Sequence, residues 1–335
     1  MNEKKKVSSR DVAREAGVSQ ATVSYILNNV KGVSIKPETR AAVMEAVKRL
    51  NYHPNEIARG MKLNRSMSIG VVTDRNVTNF NFMKTLEGIR DGLQQNNYAV
   101  TLLFNKPEDS TEAEFIRYYN SNRLDGIIFA FASLEAETAD YLNSGGIPFV
   151  LVDALKSDMD VHSVCTDHLN KVVEVVEYFI AGGVRRIGYA GPSPDKAMNG
   201  RLDAYKEAML KCGLEVDESL IATSDFDDAK IFHAVNNLLS GGGKPGAILT
   251  GSPRFGLVAA KCAQHMKVKV PEELKIIALG TSNFFSVTYP SLSAVELPLY
   301  DMGFRAAELL FELINGRPAQ KTVILPSELV LRDSS

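Results

Sequence analysis

The 335-residue sequence has no tryptophan, few cysteines and no long apolar run. Its cysteines, Cys165, Cys212 and Cys262, are widely separated in apolar or helical stretches. This spacing excludes a cysteine metal or redox site and predicts reduced, packed thiols. No segment approaches the roughly eighteen apolar residues of a membrane span, and the charged start of the chain lacks the apolar core of a signal peptide. These absences predict a cytoplasmic protein with no membrane partner.

The sequence also lacks the motifs of common enzyme classes. Its five histidines show no metal-ligand pairing, and the nucleophile motif GxSxG is absent. The glycine-rich residues 241–244 lie between a predicted helix and a predicted strand, whereas a phosphate loop follows a strand and precedes a helix. We therefore expect no catalytic residues, no bound metal and no cofactor.

Charge is distributed unevenly along the chain. Residues 1–65 contain 13 Lys or Arg against 6 Asp or Glu, a net +7, whereas residues 66–335 contain 25 against 34, a net −9. A basic segment of this kind is suited to neutralising nucleic-acid phosphates. Any one of its basic side chains, taken alone, is equally consistent with a phosphate contact and with an ordinary solvent-exposed position. The basic residues in question are Lys4, Lys5, Lys6, Arg10, Arg14, Lys36, Arg40 and Arg59.

The basic segment has the pattern of a helix-turn-helix. Residues 10–16 and 20–28 are predicted helices, Gly17 supplies the turn between them, and Ser19 stands at the N-cap of the second. A third predicted helix spans 37–50 and begins with proline. The apolar residues predicted to hold the helices together are Ala13, Val18, Val23, Leu27, Val43, Met44, Val47 and Leu50.

The second helix then presents a small, polar face outward. Side chains of this kind suit the major groove, where amides and hydroxyls pair with base edges and small apolar groups meet the thymine methyl. A surface helix hairpin without a DNA role is the alternative. The outward residues are Gln20, Ala21, Thr22, Ser24 and Tyr25.

From residue 68 onward, β-branched runs alternate with amphipathic helices, which predicts parallel sheets covered on both faces. The elements are too many for one sheet, so two open α/β subdomains are expected. Predicted strands span 69–72, 99–104, 126–131, 149–153, 186–190, 247–250, 274–279 and 327–332. Predicted helices lie near 83–95, 111–122, 135–143, 169–181, 201–212, 229–239, 254–266 and 300–315.

The segments DVAREAGVSQATVS and YHPNEIARGM, with the body that follows, resemble the lactose/galactose repressor family of bacterial transcription regulators over essentially the whole chain. The resemblance implies an all-α helix-turn-helix head over 1–52, a hinge helix and linker over 53–67, and a periplasmic-binding-protein-like body over 68–335. Its N-subdomain would cover about 68–165 and 296–324, and its C-subdomain about 166–292 and 325–335. The chain would cross between them near 164–167, 292–296 and 325–327.

The resemblance also implies that the short helix after the head folds on the operator and enters the minor groove beside its copy from a second subunit. Met61 would take the place of the family's usual leucine wedge. Tyr25 stands where members commonly have Arg, whose bidentate contact with guanine discriminates by about 1–3 kcal/mol, so the operator half-site should differ. The candidate DNA-contacting residues are Ser9, Ser19, Gln20, Ala21, Thr22, Ser24, Tyr25, Asn28, Arg40, Tyr52, Asn55, Ala58 and Met61.

In the family, the cleft between the subdomains binds a small-molecule effector, at the carboxyl ends of the parallel strands. By similarity, the rings of Phe80 and Phe226 would stack on the ligand. Asp153 would accept hydrogen bonds from ligand hydroxyls, and Arg201 would donate hydrogen bonds to an anion or a hydroxyl. Alternatively, the phenylalanines are core residues and the aspartate is an ordinary strand-end residue. The candidate effector-binding residues are Asn79, Phe80, Asp153, Arg201, Phe226, Ser252 and Thr281.

Two acidic positions that commonly bind ligand hydroxyls are missing. Where members usually read AAND and GFDD, this chain reads LTGSP and ALGT, so that Ser252 and Thr281 bring no charge. Without these two acidic side chains, the positive charge of Arg201 is less compensated, which favours an anionic effector. The alternative is that this chain has a reduced ability to bind an effector.

We therefore predict a sequence-specific transcription regulator, a repressor, whose affinity for DNA is controlled by a sugar or sugar phosphate. Two heads are needed for tight specific binding, so a homodimer should read a near-palindrome with half-sites about one helical turn apart. No leucine heptad follows the last strand-like segment, which favours a dimer. The alternatives are a regulator controlled by a protein partner and a solute-binding protein without a DNA role.

Overall fold

Three helices make up the described part of the head: α1 (Ser9–Glu15), α2 (Gln20–Leu27) and α3 (Pro37–Arg49). The computed structural model describes residues 7–27, 32–52, 65–104, 113–153, 159–193 and 200–335. The chain divides between Ser66 and Met67 into two compact units. Gly17 takes the left-handed φ of +63° between α1 and α2. The Ser19 hydroxyl accepts from the Thr22 backbone N–H at 3.1 Å, as an N-cap should.

The head core differs in part from the predicted one. Val23 and Val43 are fully buried as expected, but Val12 and Ile26 belong to the same core. Met44 is 51% exposed, so its prediction as a core residue is wrong. On α3 the buried stripe continues from Val43 to Ala46, whereas Met44 is rotated about 100° the other way around the helix.

The body contains two sheets, which confirms the predicted fold class. The N-sheet has the order β11-β5-β4-β3-β1-β2, and every pair in it is parallel. Its strands are β1 (Ser68–Thr73), β2 (Ala99–Phe104), β3 (Gly126–Ala130), β4 (Phe149–Val152), β5 (Ser163–Thr166) and β11 (Thr322–Leu325). One face is covered by α4 (Phe80–Gln94) and α11 (Leu299–Ile314), and the other by α5 (Glu114–Asn120) and α6 (Ala136–Ser144).

The C-sheet has the order β12-β10-β9-β8-β6-β7 and is parallel except for the antiparallel pair of β10 with the edge strand β12. Its strands are β6 (Ile187–Pro192), β7 (Ile221–Ser224), β8 (Ala247–Thr250), β9 (Lys275–Leu279), β10 (Ser293–Glu296) and β12 (Glu328–Val330). One face is covered by α7 (His168–Ala181) and α8 (Arg201–Lys211), and the other by α9 (Asp228–Ser240) and α10 (Pro253–His265).

The chain passes between the two sheets three times: after β5, after β10 and after β11. The crossing segments are tied to their surroundings by hydrogen bonds. The Leu297 backbone N–H donates to Thr281 Oγ1 at 2.8 Å, and the Ser327 N–H donates to the Asp167 carboxylate at 2.8 Å. The first and third crossings are thus linked directly to each other.

Helices α4 and α11 pack closely because each has a glycine at their crossing. A Cβ atom on Gly88 would meet the backbone oxygen of Tyr300, and one on Gly303 would meet the backbone oxygen of Thr85, in both cases closer than 3.0 Å. This reciprocal contact holds α11, which follows the second crossing, against the first helix of the body. None of the described helices is both long enough and apolar enough to cross a membrane.

The cysteines are free thiols that should differ in reactivity. Burial raises the pKa of Cys262 to about 11, and burial together with Asp153 does the same at Cys165. Cys212 is only half-buried. Because the thiolate is the reactive form, we expect iodoacetamide at pH 8 to label Cys212 first and the other thiols only after unfolding. Peptide mass spectrometry would measure this, and labelling of native Cys262 as fast as Cys212 would contradict it.

Candidate functional site

The beginning of α2 presents the side chains expected to meet base edges. Gln20 and Ala21 are exposed, Thr22 is half-buried, and Tyr25 is 41% exposed. Thr22 Oγ1 lies 2.9 Å from Ser19 Oγ, so these two hydroxyls are already hydrogen-bonded to each other. Together they form a small polar surface at the N-terminal end of the helix.

A network across the two helices holds Gln20 in place. Its Nε2 donates to Ser9 Oγ at 2.7 Å, and its Oε1 accepts from Arg10 Nε at 3.4 Å. The sequence predicted Ser9 and Gln20 as DNA contacts but not this link, which joins the start of α1 to the start of α2. Because the contact is tertiary, no local sequence signal marks it.

The other predicted DNA contacts lie in different environments. Arg40 is exposed on α3, whereas Tyr52 is half-buried against the head core. Ser24 is half-buried on α2. Asn28, Asn55, Ala58 and Met61 lie outside the described residues, and with them the whole predicted hinge helix.

In the body, three predicted effector-binding residues lie around the carboxyl ends of β8 and β9. Arg201, the first residue of α8, donates from Nη1 to the backbone oxygens of Gly251 at 2.8 Å and Leu279 at 3.1 Å. Ser252 is buried and caps α10, where its hydroxyl accepts from the Phe255 N–H at 3.4 Å. Thr281 Oγ1 accepts a hydrogen bond from the backbone N–H of Leu297, which belongs to the second crossing.

Three further candidates follow strands of the N-sheet. Asn79 caps α4, and its Oδ1 accepts from the Phe82 N–H at 3.0 Å. Phe80, the next residue, is 36% exposed. Asp153 directly follows β4 and has a φ of +63°, a conformation that Asp tolerates better than most residues.

Phe226 follows β7 and is 39% exposed, with its ring edge-to-face against Phe255 at 5.9 Å. Neither Phe226 nor Phe80 is therefore a core residue. Asn79, Ser252 and Thr281 each use a side-chain oxygen inside the protein, and Arg201 uses Nη1, whereas the rings of Phe80 and Phe226 keep an exposed part that is available to a ligand. Among the described residues, no three His, Cys, Asp or Glu side chains are grouped to hold a metal ion.

Comparison with known proteins assigns both parts of the chain. Residues 9–55 match the sequence family described as "Bacterial regulatory proteins, lacI family", and residues 176–335 match "Periplasmic binding protein-like domain". The catabolite control protein A of Staphylococcus xylosus is 31% identical over 327 residues, which cover 97% of this chain and 98% of that protein.

Solved structures share the whole architecture. A complex of the transcriptional regulator CelR with cellobiose has a TM-score of 0.71 at 25% identity, covering 98% of this chain and 100% of that one. The Lac repressor dimer bound to operator and the anti-inducer ONPF has a TM-score of 0.82 at 22% identity, covering 98% and 99%. The chain therefore belongs to the lacI family of bacterial regulatory proteins and is a DNA-binding transcription regulator, not an enzyme.

Proposed function

We propose that this regulator binds a near-palindromic operator as a homodimer and that a sugar or sugar phosphate in the cleft of its body controls its affinity for that operator. The observation that carries the proposal is the combination, in one chain, of a helix-turn-helix head with a body whose two sheets are joined by three crossings. A simple DNA-binding protein needs no such body. A solute receptor needs no such head.

On the DNA side, the beginning of α2 would enter the major groove with Gln20, Ala21 and Thr22 foremost. Gln20 would either replace its hydrogen bonds to Ser9 and Arg10 by hydrogen bonds to a base edge, or keep them and be held by them in position for the base. Exposed basic residues such as Arg40 would contact phosphates and fix the register. One head contacts few bases, so a two-fold pair of heads supplies the affinity.

On the effector side, exposed aromatic rings with an aspartate and an arginine suit a sugar. Phe80 and Phe226 would stack on ring faces, Asp153 would accept from hydroxyls, and Arg201 would donate. The solved complex of CelR with cellobiose supports a sugar as ligand. Ser252 and Thr281 stand where acidic side chains are usual in the family, so an anionic sugar is favoured over a neutral one.

In this proposal the crossings carry the effect of a bound ligand from the cleft towards the head. Thr281 belongs to the candidate cleft and also holds the second crossing at Leu297, while the first and third crossings are joined through Asp167 and Ser327. A ligand that draws the sheets together would bend these segments and so change how the paired heads are presented to DNA. Such a coupling combines a hinge movement with altered operator binding.

A DNA selection tests the proposal directly. Purified full-length protein would be incubated with a random double-stranded library, alone and with glucose, cellobiose, glucose 6-phosphate and glucuronate at a fixed salt concentration. We expect one palindromic site whose affinity changes at least about fivefold with one compound, a coupling of about 1 kcal/mol. A palindrome that responds to no compound would contradict the effector proposal, and failure to select any site would contradict the DNA-binding part.

A further inference from the structure

Two fully buried tyrosines lie side by side on one face of the C-sheet. Tyr189 belongs to β6 and Tyr205 to α8, and their ring centroids are 5.3 Å apart. The Tyr205 hydroxyl donates to the Ile187 backbone oxygen at 2.7 Å. The Tyr189 hydroxyl has no hydrogen-bond partner in the described part of the chain. A buried polar atom without a partner is rare in native proteins and calls for an explanation, such as strain, a functional role, or a bound water or ion.

Two glycines let the backbone lie directly against the Tyr189 hydroxyl. A Cβ atom on Gly191 or on Gly251 would lie closer than 3.0 Å to this hydroxyl. Neither glycine has a positive φ, so conformational freedom does not explain them. Gly191 is in β6 and Gly251 directly follows β8, so the hydroxyl lies at the carboxyl edge of the C-sheet, where ligands of α/β proteins bind.

Arg201 lies at the same place. The backbone oxygen of Gly251 accepts from its Nη1, while the Cα of Gly251 faces the Tyr189 hydroxyl. Burial raises the pKa of Tyr189 to about 12, and the nearby positive charge of Arg201 partly opposes this rise. The hydroxyl therefore stays protonated at neutral pH and remains a hydrogen-bond donor.

We infer that Tyr189 and Arg201 form a two-donor subsite for an anionic oxygen of the effector, carboxylate or phosphate, at the carboxyl edge of the C-sheet. The inference rests on the proposed effector cleft and assigns it a specificity-determining residue. A guanidinium supplies donors only and the protonated phenol supplies one O–H donor, so a charged acceptor oxygen can bind both groups. The Tyr189 hydroxyl fills the space that a side chain at position 251 would occupy.

The test uses Tyr189→Phe, with Tyr205→Phe as a matched control. Affinities of the full-length protein for glucose 6-phosphate, glucuronate and glucose would be measured by titration calorimetry, with inorganic phosphate as a further probe. We expect wild type to bind one of the two anionic sugars more tightly than glucose. We expect Tyr189→Phe to weaken that binding at least about tenfold, or about 1.4 kcal/mol, and Tyr205→Phe to leave it within twofold.

Thermal unfolding without ligand gives an independent readout. Tyr205→Phe should lower the Tm because it removes a buried hydrogen bond to the Ile187 backbone oxygen, whereas Tyr189→Phe should melt at or above the wild-type temperature. A Tyr189→Phe variant that loses as much stability as Tyr205→Phe would show an internal partner for the hydroxyl and overturn the inference.

The binding outcomes separate the inference from the function on which it rests. Unchanged affinity of Tyr189→Phe for an anionic sugar would overturn the inference alone, and so would wild-type preference for glucose. Binding of none of the probes would overturn the effector cleft together with its subsite. A preference for glucose 6-phosphate over glucuronate would identify phosphate as the source of the oxygen, and the reverse preference would identify carboxylate.

Discussion

The variant Gly303→Ala is expected to lose at least about 3 kcal/mol of unfolding free energy, and Gly88→Ala a similar amount. Each added methyl group would overlap a backbone oxygen of the facing helix, which belongs to Tyr300 in one case and to Thr85 in the other. A side chain could rotate away from such an overlap, but a backbone oxygen cannot. The two helices must therefore separate, and the apolar contacts between α4 and α11 loosen with them.

The sign of this effect is informative because alanine is the better helix former. Replacing glycine inside a helix favours folding by about 1 kcal/mol when nothing obstructs the methyl group. Any net loss of stability at Gly88 or Gly303 therefore reports on the packing. The double variant should lose less than the sum of the single losses, since helices already separated by the first methyl group leave room for the second.

The measurement is urea unfolding followed by far-UV circular dichroism, because the chain has no tryptophan to serve as a fluorescent probe. Gly242→Ala is the control, since a Cβ there would meet no atom within 4 Å and its φ is not positive. Gly92→Ala should fall between these extremes, because its Cβ would lie 2.8 Å from the Ala307 Cβ. Equal stability of Gly303→Ala and Gly242→Ala would refute the close packing of α4 and α11.

The variant Ala21→Glu is expected to weaken operator binding at least about 100-fold, or about 2.7 kcal/mol. Ala21 is exposed near the start of α2, the part of the helix proposed to enter the major groove. A carboxylate there loses its hydration beside the phosphates and is repelled by them. Folding of the head should not suffer, since a negative charge in the first turn of a helix is favourable.

Ala41→Glu is the matched control for this variant. It makes the same change of charge in the same head, at an exposed position of α3 opposite the buried Val43 stripe. Fluorescence anisotropy with the selected operator, at one salt concentration, should show a loss of no more than about fivefold, the size expected from a change of net charge alone. Equal losses of operator affinity for Ala21→Glu and Ala41→Glu would contradict the assignment of α2 as the recognition helix.

The sequence predicts most of the body because its central strands are short apolar runs. β3 and β4 are buried at every position, and their sequences contain hardly a polar residue. β5 and β10 are different: Ser163–Thr166 and Ser293–Glu296 mix small polar and apolar side chains and were predicted only as parts of crossings. They are strands because their neighbours in the sheet pair with them, a tertiary effect that local periodicity does not contain.

The sequence predicts where the candidate effector-binding residues lie better than it predicts how their side chains are used. Asn79 and Ser252 follow strands, as ligand-binding residues do, but the same position makes them helix caps, and their oxygens are used in that way. Sequence alone does not separate these roles, because both need an oxygen at the start of a helix. Tyr189 looks like an ordinary strand residue, and only the two glycines beside its hydroxyl distinguish it.

The three crossings also bear on the order in which the protein is made. The N-sheet starts with β1 near the beginning of the body but is completed by β11 (Thr322–Leu325), and its covering helix α11 is almost as late. At ordinary rates of synthesis, about 10 to 40 seconds separate the emergence of β3 from that of β11. During this interval the nascent chain holds strands with an open edge and α4 without its partner helix. The N-sheet therefore cannot be completed before β11 is synthesised, nor the C-sheet before β12 (Glu328–Val330).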